Sequence, residues 1–183
     1  ILQSDVFVAI ECPTLDRLGC MHEHAKMSKI IVNIDHHISN TRFGKYNYVE
    51  TSAAAVGEQI YDILNFMKFE ITLDIAICIY TSILTDTGSF AYANTTHKTH
   101  KIASELIKLG VNPTEISQYI YETNSMSKLH LLARTLETLQ MSSDGKIAWV
   151  ILTKDMYEKT KTNFDETDGF INYVRSLAGV KVA

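Results

Sequence analysis

The stretch Lys29-Ile30-Ile31-Val32-Asn33-Ile34-Asp35-His36-His37 carries a short apolar run directly into one acid and two imidazoles. The run predicts a buried strand, and ligand sites in open α/β sheets form beyond the carboxyl ends of strands. Adjacent side chains point to opposite sides of an extended strand, but both can face one centre where the strand becomes a loop. Because imidazole and carboxylate bind divalent transition metals, we predict a metal site here. The alternative is that Asp35 caps a turn and both histidines are solvated.

Val6–Ile10 is a second apolar, β-branched run, and it predicts a strand buried on both faces. Glu11 follows at once, so a second acid leaves a strand end. We therefore place Glu11 at the same edge of the sheet as Asp35, His36 and His37. The alternative for Glu11 is an ion pair with Arg17 or Lys26.

Leu73–Leu84 is apolar nearly all round and predicts a buried helix, with Cys78 as a core thiol. The segment continues into Thr85-Asp86-Thr87-Gly88-Ser89-Phe90, which brings a third acid to the end of a buried element. Asp86 is therefore a third candidate ligand from a remote part of the chain. The alternative is that Asp86 caps the turn that Gly88 permits.

The rest of the chain alternates helical and strand patterns, as α/β proteins do. A connecting loop is predicted over residues 38–50, and a new helix–strand–helix–strand unit begins near Ser125. We therefore predict two domains, residues 1–124 and 125–183. The other predicted elements are helices over 52–64, 97–109, 113–123, 125–141 and 170–177, and a strand over 147–152.

The chain of 183 residues is 46% hydrophobic and 21% charged, the balance of a soluble globular domain of full size. A net charge of -4 excludes a global attraction to nucleic acid or anionic membranes, so a polyanion must be bound locally. No apolar run is long enough to cross a bilayer, and we expect no membrane partner. Three cysteines without C-x-x-C spacing favour reduced thiols in a cytoplasmic protein.

The patterns at both ends of the sequence predict that this chain is part of a longer protein. Ile1-Leu2 has no initiator Met, cap or turn before it, and Val180-Lys181-Val182-Ala183 has the pattern of a strand that is just beginning. We therefore expect function to depend on that longer protein.

Three motifs, in this order, resemble those of the DHH phosphoesterases. They are Val8-Ala9-Ile10-Glu11-Cys12-Pro13 with Leu15-Asp16-Arg17-Leu18-Gly19, then Asn33-Ile34-Asp35-His36-His37, then Thr85-Asp86-Thr87-Gly88-Ser89-Phe90. The segments Phe90–Thr96 and Asp168–Arg175 add to the match. The resemblance covers nearly the whole chain and is strongest to the bacterial nanoRNase type, a bifunctional oligoribonuclease and 3′-phosphoadenosine 5′-phosphate phosphatase.

The resemblance implies a doubly wound, mostly parallel α/β DHH domain over residues 1–124, and the start of a smaller α/β DHHA1 substrate domain over 125–183. It also implies two Mn²⁺ ions that activate a water to hydrolyse phosphate esters of short RNA or nucleotide phosphates. Glu11, His36 and Asp86 would be metal ligands. His37 would lie by the scissile phosphate as a catalytic residue, with Asp35 orienting the two histidines.

Two departures from the family pattern keep alternatives open. An early pair of aspartates and a late Gly-Gly-His loop are absent from this chain, and Glu11 stands where the family has a bridging aspartate. The extra methylene of Glu11 adds about 1.5 Å of reach, which the backbone must absorb.

The alternatives are a catalytically weakened nucleotide-binding or regulatory module, a linear or cyclic dinucleotide phosphodiesterase, and an inorganic pyrophosphatase of the same superfamily. The residues also leave open the exact substrate, the cleavage polarity and a homodimer.

Overall fold

Residues 4–183 are described by a computed structural model, and their largest sheet has three parallel strands. The strands are β1 (Val6–Ile10), β2 (Ile30–Asp35) and β3 (Tyr46–Val49), in the order β1-β2-β3. The register places Ile10 beside Ile34, so β1 and β2 end at the same edge of the sheet. The features predicted at Ile1 and Leu2 lie outside the described residues.

Helices follow the strands along the chain and confirm the predicted α/β class. Helices α2, α3 and α4 pack against one another, and α2 also contacts β2. No helix within residues 4–183 has both the length and the apolar character of a membrane span. The helices are α1 (His22–Met27), α2 (Val56–Phe66), α3 (Leu73–Asp86), α4 (His97–Lys108), α5 (Pro113–Tyr121), α6 (Met126–Leu136), α7 (Lys154–Thr160) and α8 (Phe170–Arg175), with short 3₁₀ segments at Leu15–Met21 and Phe164–Thr167.

Strand β1 is formed as predicted, but the prediction that it is buried on both faces is wrong. Val6, Val8 and Ile10 are exposed by 48%, 50% and 45%, whereas Ala9 is buried. In the described sheet β1 is an edge strand that pairs with β2. A continuous apolar run does not mark which face of a strand meets solvent, and this is why the sequence pattern suggested two buried faces.

The segment between β2 and α2 differs from its prediction at two places. Strand β3 lies inside the predicted loop over 38–50, because four residues are the shortest run over which a period of two can be recognised and give only a weak signal. Helix α2 begins at Val56 rather than at Ser52. Ala53, Ala54 and Ala55 precede it as a buried segment, so their high helix propensity is overridden by packing.

Helix α3 confirms the predicted helix and extends it to Asp86, but its burial is uneven. Ala76, Ile79 and Ile83 are buried in the core. Cys78 is exposed, so the prediction of a core thiol is wrong. An all-apolar helix carries no polar stripe to identify its solvent side, and the sequence therefore could not separate the two faces.

The chain divides into two compact units, one ending at Ile116 and one spanning Ser117–Ala183. In the second unit, Gln140–Met141 (β4) pairs antiparallel with Ala148–Trp149 (β5). Ile147 forms a parallel bridge with Val182, within the strand pattern noted near the end of the sequence. The predicted assignment of residues 1–124 and 125–183 to DHH and DHHA1 domains stays a prediction.

Two predicted elements of the second unit are longer than the observed ones. Helix α6 ends at Leu136 and not at Met141, and the predicted strand over 147–152 is reduced to β5. The Thr138 hydroxyl accepts the N–H of Ile151 at 2.8 Å and donates to its carbonyl at 3.2 Å. A side chain thus takes the place of a neighbouring strand at this point, which limits the length of β5.

Candidate metal centre

Four titratable side chains meet where β1, β2 and α3 end. Glu11 Oε1 lies 3.2 Å from His36 Nε2 and 3.6 Å from His37 Nδ1. His36 Nε2 lies 3.7 Å from Asp86 Oδ2, so the same imidazole nitrogen faces two carboxylates. The structure therefore brings together the site residues predicted from three separate segments. The alternative pairing of Glu11 with Lys26 is not seen among the described residues, since Lys26 pairs with Glu23.

The Glu11 backbone has an unusual conformation directly after β1. Its φ angle is 61°, in the left-handed region that residues other than glycine rarely adopt. The Glu11 N–H donates to the Ile34 carbonyl at 3.1 Å, which continues the contact of β1 with β2. Backbone strain of this kind is concentrated at functional sites. The turn brings the Glu11 side chain to His36, at the end of the neighbouring strand.

His36 is oriented by a hydrogen bond on the side of its ring away from Glu11. A carbonyl can only accept, so the 3.1 Å contact with Ala53 O requires a proton on His36 Nδ1. The other nitrogen, Nε2, is thereby the one that faces Glu11 and Asp86. The hydrogen bond with Glu11 is the main reason why the pKa of His36 is raised to about 9, although burial acts to lower it.

His37 is held by the buried carboxylate of Asp35. Asp35 is 0% exposed, and its Oδ1 accepts from His37 Nδ1 at 2.7 Å. Burial acts to raise the pKa of Asp35, but hydrogen bonds from His37, Asn40 and the His36 backbone keep it below its ordinary value. Asp35 therefore stays an acceptor that fixes the His37 ring. With Nδ1 engaged in this way, Nε2 is the nitrogen of His37 available to another group.

Asp86 enters the site from the last turn of α3. Burial, and then the negative charge of Glu11, raise the pKa of Asp86 above its ordinary value. Asn94 steadies this end of the helix, since its Nδ2 donates to Asp86 O at 3.1 Å and to Ala54 O at 3.0 Å. Asp86 thus brings a second carboxylate to His36 Nε2, close enough to Glu11 for the two negative charges to interact.

The donor set fits a divalent transition metal. Two carboxylates and the Nε2 of His36 are ligand types that such ions prefer. Glu11 Oε2 is buried and has no hydrogen-bond partner among the described residues, an unfavourable state that a cation would relieve. A cation would also remove the repulsion between Glu11 and Asp86. The individual roles of these residues, and the identity and number of ions, stay predictions.

Several supporting residues lie outside the predicted site. Asn33 and Asn40 hydrogen-bond around Asp35, Ala53 orients His36, and Asn94 holds Asp86. Asn33 carried a usable signal, because a polar side chain in the middle of an apolar strand needs buried hydrogen-bond partners. Ala53 acts through its backbone, so its residue type gives no signal.

Known proteins resemble this chain in sequence and in structure. No family model matches the chain. The chain is 31% identical over 153 residues to the bifunctional oligoribonuclease and PAP phosphatase NrnA of Thermus thermophilus, covering 84% of this chain and 45% of that protein. It is 29% identical to the protein of the same name from Bacillus subtilis, covering 95% of this chain and 56% of that protein. The chain thus spans about half the length of these curated relatives.

Two solved structures share the fold. An exopolyphosphatase-related protein from Bacteroides fragilis superposes with a TM-score of 0.89 at 27% identity, over 96% of this chain and 53% of that chain. A putative family II inorganic pyrophosphatase from Methanococcus jannaschii superposes with a TM-score of 0.52 at 17% identity, over 87% of this chain and 58% of that chain. The second likeness concerns the fold alone.

Proposed function

Because the chain belongs to the DHH phosphoesterase family, we propose that it carries the metal-binding half of a phosphoesterase acting on short oligoribonucleotides, 3′-phosphoadenosine 5′-phosphate, or both. The curated relatives are named for these two activities. Since the chain covers about half of them, the activity is proposed for the protein that contains it.

One observation carries the proposal. Glu11, His36 and Asp86 come from the ends of three different elements, and His36 Nε2 lies 3.2 Å from Glu11 Oε1 and 3.7 Å from Asp86 Oδ2. The other oxygen of Glu11, Oε2, is buried without a hydrogen-bond partner among the described residues. A purely structural cluster would pair its buried carboxylate oxygens, because an unpaired buried acceptor destabilises a protein. Two carboxylates and an imidazole that meet in this way support the proposal that they bind a cation.

The proposed ligands are Glu11, His36 and Asp86, and the proposed ion is Mn²⁺. When bound, a divalent ion neutralises phosphate charge and activates water for attack on the ester. His36 keeps Nε2 toward the ion because Ala53 O holds its Nδ1–H. His37, fixed by Asp35, offers Nε2 to a phosphate oxygen. A local cationic site also explains how a chain of net charge -4 could hold an anionic substrate.

The test uses the protein that contains this chain, with di- to pentaribonucleotides and 3′-phosphoadenosine 5′-phosphate as substrates and with Mn²⁺ added or chelated. His36→Ala is expected to lower kcat/KM by about 100-fold or more, because a metal ligand is lost. His22→Ala is a matched control, since His22 also contacts a carboxylate, Glu23 at 2.9 Å, on the surface of α1. Turnover that survives both chelation and His36→Ala would refute the proposal.

The same experiment separates the enzyme from a nucleotide-binding module of the same fold. An enzyme is expected to bind the metal and to release product. A module would bind nucleotide with no turnover, even with Mn²⁺ present. The observation in favour of the enzyme is that the curated relatives are named for catalytic activities.

A further inference from the structure

The side chain of Asn40 is held in one orientation beside the proposed metal site. Its Oδ1 accepts the N–H of Arg42 at 2.6 Å, and this contact fixes which end of the amide faces outward. The NH₂ group is therefore turned inward, where it donates to Asp35 Oδ2 and, at 2.8 Å, to Asn33 Oδ1. Because both ends are engaged, the amide cannot rotate without losing hydrogen bonds.

Asn33 extends these contacts to the loop that follows Glu11. Asn33 is 0% exposed, and its Nδ2 donates to Cys12 O at 3.1 Å. Asn40 Nδ2 also lies 3.3 Å from Cys12 O. Cys12 is the neighbour of Glu11, whose backbone is in the left-handed region. The two amides, here called the Asn33–Asn40 pair, thus tie the peptide after Glu11 to strand β2.

The pair also sets the orientation of Asp35. One oxygen of this buried carboxylate accepts from His37 Nδ1 at 2.7 Å, and the other accepts from Asn40. A buried carboxylate requires donors to its oxygens. Asn40 therefore fixes the plane of the Asp35 carboxylate, and that carboxylate fixes the ring of His37. His37 Nδ1 in turn lies 3.6 Å from Glu11 Oε1.

We propose that the Asn33–Asn40 pair sets the positions of Glu11 and His37 relative to each other, and that both amides are positioning residues for the metal site. The inference rests on the proposed metal-dependent function. The pair acts on Glu11 through the Cys12 carbonyl and on His37 through Asp35. If the pair had a structural role alone, removing one amide would lower stability and leave the Mn²⁺ affinity of the folded protein unchanged. If the pair positions the ligands, removing one amide also lowers the Mn²⁺ affinity of the folded protein.

The test measures Mn²⁺ affinity by calorimetry and metal-free thermal unfolding for the protein that contains this chain and for two variants of it, Asn40→Ala and Asn47→Ala. Asn47 is the matched control, because it is also a half-buried amide and makes two hydrogen bonds, both with the Gly44 backbone, at 3.0 and 2.6 Å. We expect Asn40→Ala to weaken Mn²⁺ binding about 10- to 100-fold and Asn47→Ala to stay within about twofold, while both lower the unfolding midpoint. Equal Mn²⁺ affinities in the two variants would overturn the inference.

A measurement on the unchanged chain covers the case in which Asn40→Ala does not fold. The side-chain NH₂ of Asn40 is expected to exchange its hydrogens more slowly than that of the exposed Asn65, and equal rates would overturn the inference. If the unchanged chain binds no Mn²⁺, the proposed metal site and this inference fail together. If it binds Mn²⁺ and Asn40→Ala binds equally well, this inference fails and the proposed function stands.

Discussion

Glu11 Oε1 lies 3.2 Å from His36 Nε2, although the two residues are 25 positions apart. Glu11 directly follows β1, and His36 directly follows β2. The contact depends on the pairing of β1 with β2, in which Ile10 stands beside Ile34. A slip of one residue would turn every side chain of β1 to the opposite face of the sheet. The geometry of the site is therefore a direct consequence of strand register.

Glu11→Gln is expected to weaken Mn²⁺ binding by about tenfold or more, because a neutral amide replaces a charged ligand of the same shape. In the metal-free protein it should also lower the pKa of Asp86, since the charge of Glu11 helps to raise that pKa. Calorimetry measures the first effect and a carboxyl NMR titration the second. The control is Glu23→Gln, because Glu23 is an exposed carboxylate that contacts His22. An unchanged pKa of Asp86 in Glu11→Gln would contradict the prediction.

Mn²⁺ binding near pH 7.5 is expected to release about one proton, because His36 must give up its Nε2 proton to become a ligand. The hydrogen bond with Glu11 raises the pKa of His36 from its ordinary 6.5 to about 9 in the metal-free protein. The protonated ring contributes stability that is complete below pH 6.5 and is lost as the pH rises through about 9. Because the metal competes with this proton in the folded protein, metal affinity should increase with pH up to about pH 9.

Calorimetry in buffers of different ionisation enthalpy measures this proton release. His22→Ala is expected to leave the number of released protons unchanged, since His22, at the start of α1, contacts Asp16 and Glu23 and not the candidate ligands. Binding with no proton release by the unchanged chain would mean that His36 is already neutral or does not bind the ion.

Sequence reasoning singled out three residues that the structure brings together, because each follows or ends an apolar run. The end of such a run is visible in the sequence, and in an α/β sheet it indicates a rim. Glu11, His36 and Asp86 could be found in this way. Asn40 could not, because it lies in a loop without periodicity and its partners are identified only by the folded contacts.

Burial was harder to predict than element type. The patterns of β1 and α3 gave the right kind of element in both cases, yet Val8 and Cys78 are exposed. Uniformly apolar segments do not reveal which side meets solvent, since that depends on the neighbours that the fold provides. The left-handed backbone of Glu11 was also beyond sequence reasoning, because it is imposed by contacts around the strand end and not by residue preference.

Gly88→Ala is expected to lower the free energy of unfolding by about 2–4 kcal/mol, from backbone strain and from overpacking together. Gly88 has a φ angle of 54°, and a Cβ there would overlap the ring of Tyr92. Gly145→Ala is the control, because Gly145 has a φ angle of 69° but its Cβ would make an ordinary contact, 3.8 Å from Met141. It should lose only about 1 kcal/mol. If chemical denaturation shows the same loss of unfolding free energy for Gly88→Ala and Gly145→Ala, overpacking against Tyr92 does not contribute.

Thr99→Val is expected to lower the free energy of unfolding by about 1–3 kcal/mol, because it leaves a buried carboxylate short of a donor. Glu58 on α2 is 1% exposed and accepts from Thr99 Oγ1 at 2.6 Å, while Lys98 Nζ is 4.0 Å away. The Thr99 hydroxyl also accepts the N–H of Thr96 at 3.0 Å, at the start of α4. Thr123→Val removes an exposed hydroxyl and should change stability by less than about 0.5 kcal/mol in the same urea titration. Equal losses would show that the contact between Glu58 and Thr99 contributes nothing to holding α2 against α4.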